Sequence, residues 1–428
     1  MAPAVLAAEL RAARARTLAL SGDLGGVREF GPRLAIVNPP RWELGHVGWF
    51  QEYWCLRRIE ADRFSGARSA SILPQADALY NSATVPHATR WSLPLPEFTA
   101  TLGYCAEALA RTLEQLGQRC DEDDLYFAQL ALRHEDMHAE AFHYTRQTLG
   151  YEAPALAGVE HARGARVSDD AEIPGGSFAL GASPSERFVF DNEKWSHPAK
   201  VRPFRMARSA VTNAEFAAFV EDEGYLRSEF WSDAGWRWLE QTKRSEPLYW
   251  SRIEGNWQLR RFDRLIALPP DEPIAHVNWH EAEAYCRYAG RRLPTEAEWE
   301  FAACWDPREG RKRRNPWGDE PWTPRRACLA QASLASVHAY PEGDNPWGVR
   351  QLIGNLWEWT ASPFQPYPGF SPDPYQEYSA PWFGTHQVLR GGAFATSPHI
   401  GYAGYRNFFT PDRADVFAGF RTCALDSE

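Results

Sequence analysis

The sequence contains no uninterrupted apolar run of the roughly 18 residues that a membrane-spanning helix needs, so no such span is expected. Its first 20 residues also lack a signal peptide's apolar stretch and cleavage site. They scatter Glu9, Arg11, Arg14 and Arg16 among alanines and leucines, which reads as an amphipathic helix. Paired cysteines are missing too. Seven cysteines, an odd number with no C-x-x-C, argue against a disulfide framework or a Cys-zinc site and for reduced thiols in the cytoplasm. Concentrated positive charge is absent: 46 basic against 56 acidic residues leave a net charge of −10, which disfavours nucleic acid as a partner. The one basic cluster, Arg308–Arg314, is broken by Glu309 and Gly310 and reads as a solvated loop. What remains is a folded, soluble type of chain, 44% apolar and 24% charged. At 428 residues it is long enough for two domains. Nineteen tryptophans and 16 tyrosines point to a pocketed, loop-rich part built on flat side chains with polar edges.

The texture changes along the chain. Apolar residues recur at spacings of three and four over 3–20, 41–58, 97–116 and 122–149, which predicts four helices and an up-down bundle across residues 1–155. Pro39-Pro40 breaks the chain before the second, with one proline suited to a first turn. The small, polar, aperiodic stretch 156–170 reads as a linker. Beyond it, 171–428 reads as an irregular α+β domain. Short β-like runs such as Gly176–Leu180 and Gln387–Arg390 alternate with Gly, Pro, Asn and Trp turns. Capping boxes at Thr212/Glu215, Asn278/Glu281 and Thr295/Glu298 announce three helices there. The predicted class is therefore multidomain, α followed by α+β.

The chemistry-bearing pattern lies in the helical part. His134 and His138, in His134-Glu-Asp-Met-His138, are four apart and so stack on one helix face. That face also carries Phe127, Leu130, Ala131, Ala141 and Phe142, which turns both imidazoles inward. Taken alone, the pair is equally well read as two hydrogen-bonded core histidines. His46 shifts the balance. It lies on another predicted helix in phase with Trp42, Trp49, Phe50 and Tyr53, and glycines 45 and 48 flank it. Glycine weakens a helix interior by roughly 1 kcal/mol relative to alanine, so its presence suggests room kept for something close to the backbone. Three inward imidazoles from two helices are best explained by a metal, and three neutral nitrogens without a thiolate suit Zn(II), Fe(II) or Cu(II).

His46 together with His134-Glu-Asp-Met-His138 resembles the DinB-like four-helix bundle of the ergothioneine and ovothiol sulfoxide synthases. The second half resembles the formylglycine-generating-enzyme-like (C-type-lectin-like) domain joined to it in that family. The matching stretches are Ile173-Pro-Gly-Gly-Ser-Phe178, Val277-Asn-Trp-His-Glu-Ala282, Arg292-Leu-Pro-Thr-Glu-Ala-Glu-Trp-Glu300, Gly354-Asn-Leu-Trp-Glu-Trp359, Leu389-Arg-Gly-Gly392 and Ala418-Gly-Phe-Arg421. The resemblance implies Fe(II) held by His46, His134 and His138, with O2 as co-substrate. It also implies hercynine (trimethylated histidine) as the acceptor of a new carbon–chalcogen bond, and a second domain that completes the active site. Tyr375 and Tyr378 match the family's two active-site tyrosines. A phenol with an ordinary pKa near 10 keeps its proton at neutral pH, so Tyr375 is assigned as proton donor and Tyr378 as pocket lining. Asn407 and Phe408 match positions near hercynine's trimethylammonium group, which an aromatic face favours.

Departures from the family pattern concern the second substrate. Members that use γ-glutamylcysteine carry two basic residues in the loop after the second helix and an acid shortly after the residue matching Asn407. Here the loop keeps Arg90 but has His87 at the other place, Phe409 stands at the acidic position, and Met137 replaces a polar residue. Loss of charge for an aromatic wall suits a flatter, uncharged donor such as a glycosyl chalcogenide. With Asn38-Pro-Pro-Arg-Trp-Glu-Leu-Gly-His46, this resembles the selenoneine synthase branch, which implies C–Se bond formation between hercynine and a selenosugar through a selenoxide that is then reduced. The alternatives are an ergothioneine-type synthase using γ-glutamylcysteine or cysteine, a zinc-dependent thiol S-transferase, and a carbohydrate-binding module with structural histidines. Formylglycine-generating activity is not expected, since Cys286, Cys304, Cys328 and Cys423 show no close pairing. Asn- and Asp-rich turns in the second half would suit a structural Ca2+, and Arg413 with Asp415 reads as an ion pair.

Overall fold

Helix signals near the N-terminus act where the sequence puts them. In the computed structural model, which describes residues 1–58, 69–118, 120–156, 160–186 and 188–425, helix α1 (Pro3–Ser21) starts with a proline in its first turn. Helix α2 (Pro40–Gln51) does the same and runs on as a π-helical turn over Glu52–Leu56. The single helix expected over 41–58 is thus two geometries. A wider turn lets Glu52 point inward, where its carboxylate accepts from Tyr104 Oη (2.5 Å), Ser71 Oγ (2.8 Å) and the Ile72 N–H (2.6 Å). A short α3 (Ala76–Tyr80) follows, then α4 (Phe98–Gly117) and α5 (Glu122–Leu149). An Asp121/Asp124 capping box opens α5, and Gly150 ends it at φ 66°.

The chain divides into two compact units, Met1–Leu156 and Ala157–Glu428. In the first, α1 packs on α4 and α5, and α2 packs on α4 and α5. Leu6, Leu10, Leu116 and Leu132 fill one end of the interior; Leu20, Leu44 and Phe142 fill the other. A buried polar layer ties the four long helices together. Arg14 of α1 donates to Glu135 of α5 (2.7 Å), Gln51 of α2 (2.8 Å) and the Cys105 carbonyl of α4. Removing one partner of such a pair costs about 3–5 kcal/mol, because it strands a buried charge.

The second unit is built on short strands. β1 (Asp170–Ile173), β2 (Gly176–Leu180), β3 (His197–Val201) and β4 (Phe204–Ala207) come first, then α6 (Asn213–Glu221) and α7 (Asp233–Thr242). A meander of β5 (Trp250–Ile253), β6 (Asn256–Arg261) and β7 (Arg264–Ala267) leads to α8 (Trp279–Tyr288), β8 (Arg291–Arg292), α9 (Glu296–Cys304), β9 (Trp305–Asp306) and β10 (Arg311–Lys312). The chain closes with β11 (Trp357–Pro363), β12 (Gln387–Arg390), β13 (Asn407–Phe409), β14 (Ala418–Gly419) and β15 (Cys423–Ala424). One sheet has the order β1-β4-β15-β8 and another β13-β12-β11-β14. All three capping boxes read from the sequence cap α6, α8 and α9. Trp299, Phe301, Leu352 and Ile353 sit in the core. Around them Arg390 pairs with Glu300 and Glu296, Arg406 with Glu296, and Arg421 with Glu358.

Residues 160–170, read as linker, lie against this second unit. His161 meets Tyr340 Oη at 2.8 Å, Arg350 donates to the Ala165 carbonyl at 2.8 Å, and Asp170 already pairs with Ala207. Among the described residues no helix is long and apolar enough to cross a membrane.

Candidate functional site

α2 and α5 bring His46, His134 and His138 together, with one candidate ligand atom from each lying within 4.8 Å of the others. Their ring centroids are 4.4–4.9 Å apart. The hydrogen-bond partners assign the tautomers. His46 Nδ1–H donates to the Tyr80 carbonyl at 2.8 Å, and His138 Nδ1–H donates to Glu43 Oε1 at 2.7 Å. His46 and His138 then offer Nε2 as a lone pair. His138 Nε2 and His134 Nε2 lie only 3.2 Å apart. Burial holds His46 and His134 well below the usual imidazole range, so both stay neutral.

Three ring nitrogens converging this closely from two helices fit a metal ion held by imidazoles. Their surroundings have the form expected around such an ion, with ligand imidazoles oriented through their second nitrogen by a carboxylate and a carbonyl. Flat rings fill the rest. Phe50 stacks on His134 with centroids 3.5 Å apart, and Trp42 stacks on His46 at 4.9 Å.

The two glycines beside His46 serve close packing. A Cβ on Gly45 would fall 2.2 Å from ring atoms of Tyr80, and one on Gly48 would fall 2.7 Å from Cys105 Sγ. The room inferred from the sequence is taken by Tyr80, whose carbonyl orients His46, and by α4. Arg90 lies in the same layered arrangement. Its guanidinium sits 3.8 Å from the Trp42 ring centroid and donates to Asn38 Oδ1 (2.7 Å) and the Val85 carbonyl (3.2 Å). Burial lowers its pKa to about 10, against a raising influence of Glu43. His87 Nε2 is bonded to the Val37 carbonyl at 2.8 Å, and Met137 is half-buried on α5.

In the second unit the loop after β11 carries Tyr375 and Tyr378, whose rings are 5.8 Å apart. Tyr378 Oη meets Tyr405 Oη at 2.9 Å, and the Tyr378 ring stacks on Phe190 at 4.3 Å. Burial pushes both loop phenols up, Tyr378 with further help from Tyr405, so each keeps its proton. Phe408 of β13 joins this group, 5.9 Å from Tyr378 and stacked on Phe364 at 4.1 Å. Asn407 Oδ1 accepts from the Phe408 N–H (2.9 Å). Phe409 lies under the guanidinium of Arg413, which is paired with Asp415 at 2.6 and 2.8 Å.

Aligned over 435 residues, the chain is 37% identical to a hercynine oxygenase of Mycolicibacterium smegmatis, and the match covers 97% of each. The chain belongs to the hercynine oxygenase family. A hercynine oxygenase of Mycobacterium tuberculosis is 36% identical, with 98% of each chain covered. Residues 157–425 match the sulfatase-modifying factor enzyme 1-like domain family. A formylglycine-generating enzyme of Streptomyces coelicolor is 34% identical, over 60% of this chain and 88% of that one. The chain is thus an oxygenase of this family with a C-terminal C-type-lectin-like domain and a helical N-terminal region.

This hercynine oxygenase relative differs from a thiol-based enzyme in the state of its cysteines. Cys286, Cys304, Cys328 and Cys423 are buried and unpaired in any disulfide, and burial raises all four thiols, the last three to about 12. Among the described residues the three histidines are the one group of three or more His, Cys, Asp or Glu side chains able to share an ion. Two asparagines in the turns considered for calcium have other partners: Asn345 Oδ1 accepts from the Val349 N–H (2.7 Å), and Asn355 Oδ1 accepts from the Ala335 N–H (2.8 Å). Sequence reasoning missed Glu43, Tyr80, Phe190 and Tyr405. Glu43 lies one turn before His46 on α2, but its partner is 95 residues away.

Proposed function

We propose that this chain is a non-haem iron, O2-dependent selenoneine synthase that joins the imidazole carbon of hercynine to the selenium of a selenosugar. His46, His134 and His138 would hold Fe(II) in a DinB-like four-helix bundle, and the observation that carries this is the convergence of three imidazoles with two second nitrogens already hydrogen-bonded. Bound there, iron supplies redox chemistry with dioxygen. The imidazole C–H, the selenol Se–H and O2 become one C–Se bond, one selenoxide oxygen and one water, so O2 takes two electrons from the coupling and two from selenium. Release of selenoneine then breaks the sugar–selenium bond: water takes the sugar and leaves a selenenic acid, which two external thiols reduce to the selenol with formation of a disulfide and water.

The chain's own residues position and protect. Glu43 and the Tyr80 carbonyl keep the imidazoles in the ligating tautomer, while Phe50 and Trp42 exclude water from their flanks. Tyr375 holds a proton on Oη for the oxygen atom that leaves as water, and Tyr378 lines the pocket. Asn407 and the face of Phe408 suit the trimethylammonium group of hercynine. For the donor, charge is scarce at the relevant positions. His87 and Arg90 are both engaged with protein oxygens, Met137 carries no charge, and Phe409 presents a ring to Arg413, itself paired with Asp415. That supports an uncharged sugar over a peptide with two carboxylates. The second reading is an ergothioneine-type C–S synthase using γ-glutamylcysteine or cysteine, and Arg90, the cation kept in its loop, favours it.

Iron reconstituted anaerobically, then oxygen uptake and product mass measured with hercynine and each donor, tests the proposal. The expected result is oxygen-dependent product with 1-seleno-N-acetylglucosamine. Product from γ-glutamylcysteine alone overturns the donor, and full activity with zinc and no oxygen uptake overturns the reaction class.

A further inference from the structure

Residues 371–379, which carry both candidate active-site tyrosines, form neither helix nor strand. Within the stretch the backbone closes one turn, from the Tyr378 N–H to the Tyr375 carbonyl (3.2 Å), and at its end the Ser379 carbonyl accepts from the Trp382 N–H (3.1 Å). With so little main-chain bonding, side chains must set where the two phenols stand.

Three such contacts come from one five-residue segment between β2 and β3. Ser379 Oγ donates to Asp191 Oδ1 at 2.5 Å, and both residues are at most 1% exposed. Lys194 Nζ donates to both carboxylate oxygens of Asp373, at 2.6 and 2.7 Å. The Phe190 ring stacks on Tyr378. The anchor points bracket Tyr375, with Asp373 before it and Ser379 after it. The segment itself is held fast. Glu193 accepts from the Phe190 N–H (2.8 Å) and from Tyr402 Oη (2.8 Å), and Arg406 donates to the Asn192 carbonyl (2.6 Å).

We infer that Phe190–Lys194 is the positioning element of the tyrosine loop, with Asp191 acting through Ser379 and Lys194 acting through Asp373 to place Tyr375 and Tyr378. The inference rests on the reading in which those phenols serve the reaction. A charge-assisted hydrogen bond buried on one side of Tyr375 and an ion pair on the other restrict the loop's freedom in a way a single contact would not. Misplacing a reacting group by about 1 Å costs on the order of a hundredfold in rate.

The test compares Ser379→Ala, Ser379→Thr, Lys194→Met and Tyr375→Phe in the full-length protein. In the iron-loaded enzyme, Ser379→Ala and Lys194→Met are expected to lower kcat roughly 10–100-fold with the KM for hercynine changed less than about twofold, and Ser379→Thr to restore it. In metal-free protein, chymotrypsin cleavage after Tyr375 or Tyr378 should speed up about tenfold in the same two variants, since cleavage follows local opening. If Tyr375→Phe turns over normally, the reading of the phenols fails. If Tyr375→Phe is impaired while Ser379→Ala and Lys194→Met keep native kcat and cleavage rates, the positioning inference fails. Should Ser379→Ala not fold, Lys194→Met, at an ion pair whose side chains are 18% and 21% exposed, decides alone.

Discussion

Replacing Glu43 by glutamine keeps the size of the side chain and an acceptor oxygen for His138 Nδ1–H, but removes the charge. Glu43 is 1% exposed and its Oε1 is 2.7 Å from His138 Nδ1, so the carboxylate orients the ring and fixes its tautomer with little competition from solvent. Loss of such an outer partner weakens metal binding about 10–100-fold, or about 1.4–2.8 kcal/mol. With Fe(II) at 100 times the native Kd, binding stabilises the folded state by about 2.7 kcal/mol; a tenfold weaker site leaves about 1.4 kcal/mol and a hundredfold weaker site about 0.4 kcal/mol. The assay is anaerobic urea unfolding with and without Fe(II), and the readout is the metal-induced increment. Stability by itself would mislead, because Glu43 also faces the buried Arg90 and its removal alters the metal-free protein. Glu43→Gln should shrink the increment by half or more, and His134→Ala should abolish it. An undiminished increment in Glu43→Gln refutes the role of the carboxylate. An undiminished increment in His134→Ala refutes the three-histidine site.

Gly45→Ala places a methyl 2.2 Å from the Tyr80 ring; overpacking of about 1–3 kcal/mol should exceed the helix-propensity gain of about 1 kcal/mol, lower the unfolding midpoint and weaken Fe(II) binding through the displaced Tyr80 carbonyl. Phe409→Glu should raise kcat/KM for γ-glutamylcysteine relative to the selenosugar about tenfold, the value of one hydrogen bond to a charged group; an unchanged ratio removes Phe409 from the donor pocket. Burial raises the Glu193 carboxyl from 4.5 to about 7, despite hydrogen bonds from Phe190 and Tyr402 that oppose the shift. At this group the folded state then binds more protons than the unfolded state between those values, so the contribution of Glu193 to stability falls as pH rises from 4.5 to 7 and levels off above. Glu193→Gln should remove that contribution, so the stability difference between metal-free wild type and variant changes by about 3 kcal/mol across the window, on a background shared by both in which Asp191, raised to about 6, and the buried His143 and His276, lowered to about 3, act in opposite directions; a difference independent of pH would disprove it.

How far residues announce their structure depends on how local the responsible physics is. Helix periodicity and caps act over four residues, which is why the expected 97–116 and 122–149 appear as Phe98–Gly117 and Glu122–Leu149, and why Gly176–Leu180 and Gln387–Arg390 are strands. The π-helical turn after Gln51 departs from the periodic reading because its cause, the cluster of donors around Glu52, comes from Ser71, Ile72 and Tyr104, far along the chain. The same division runs through the site. Two imidazoles four apart on an apolar face were visible, and the third could be guessed from its own helix phase. Their tautomers were not visible, since these depend on Glu43 reaching across to α5 and on the Tyr80 carbonyl at the end of a five-residue helix. Gly45 shows how the two kinds of information join. The sequence signalled close approach there without saying of what, and the approaching group proves to be the residue whose carbonyl sets the His46 tautomer. A three-histidine pattern on two helices is therefore only half of a metal site; the chemistry depends equally on remote groups that decide which nitrogen of each ring faces inward.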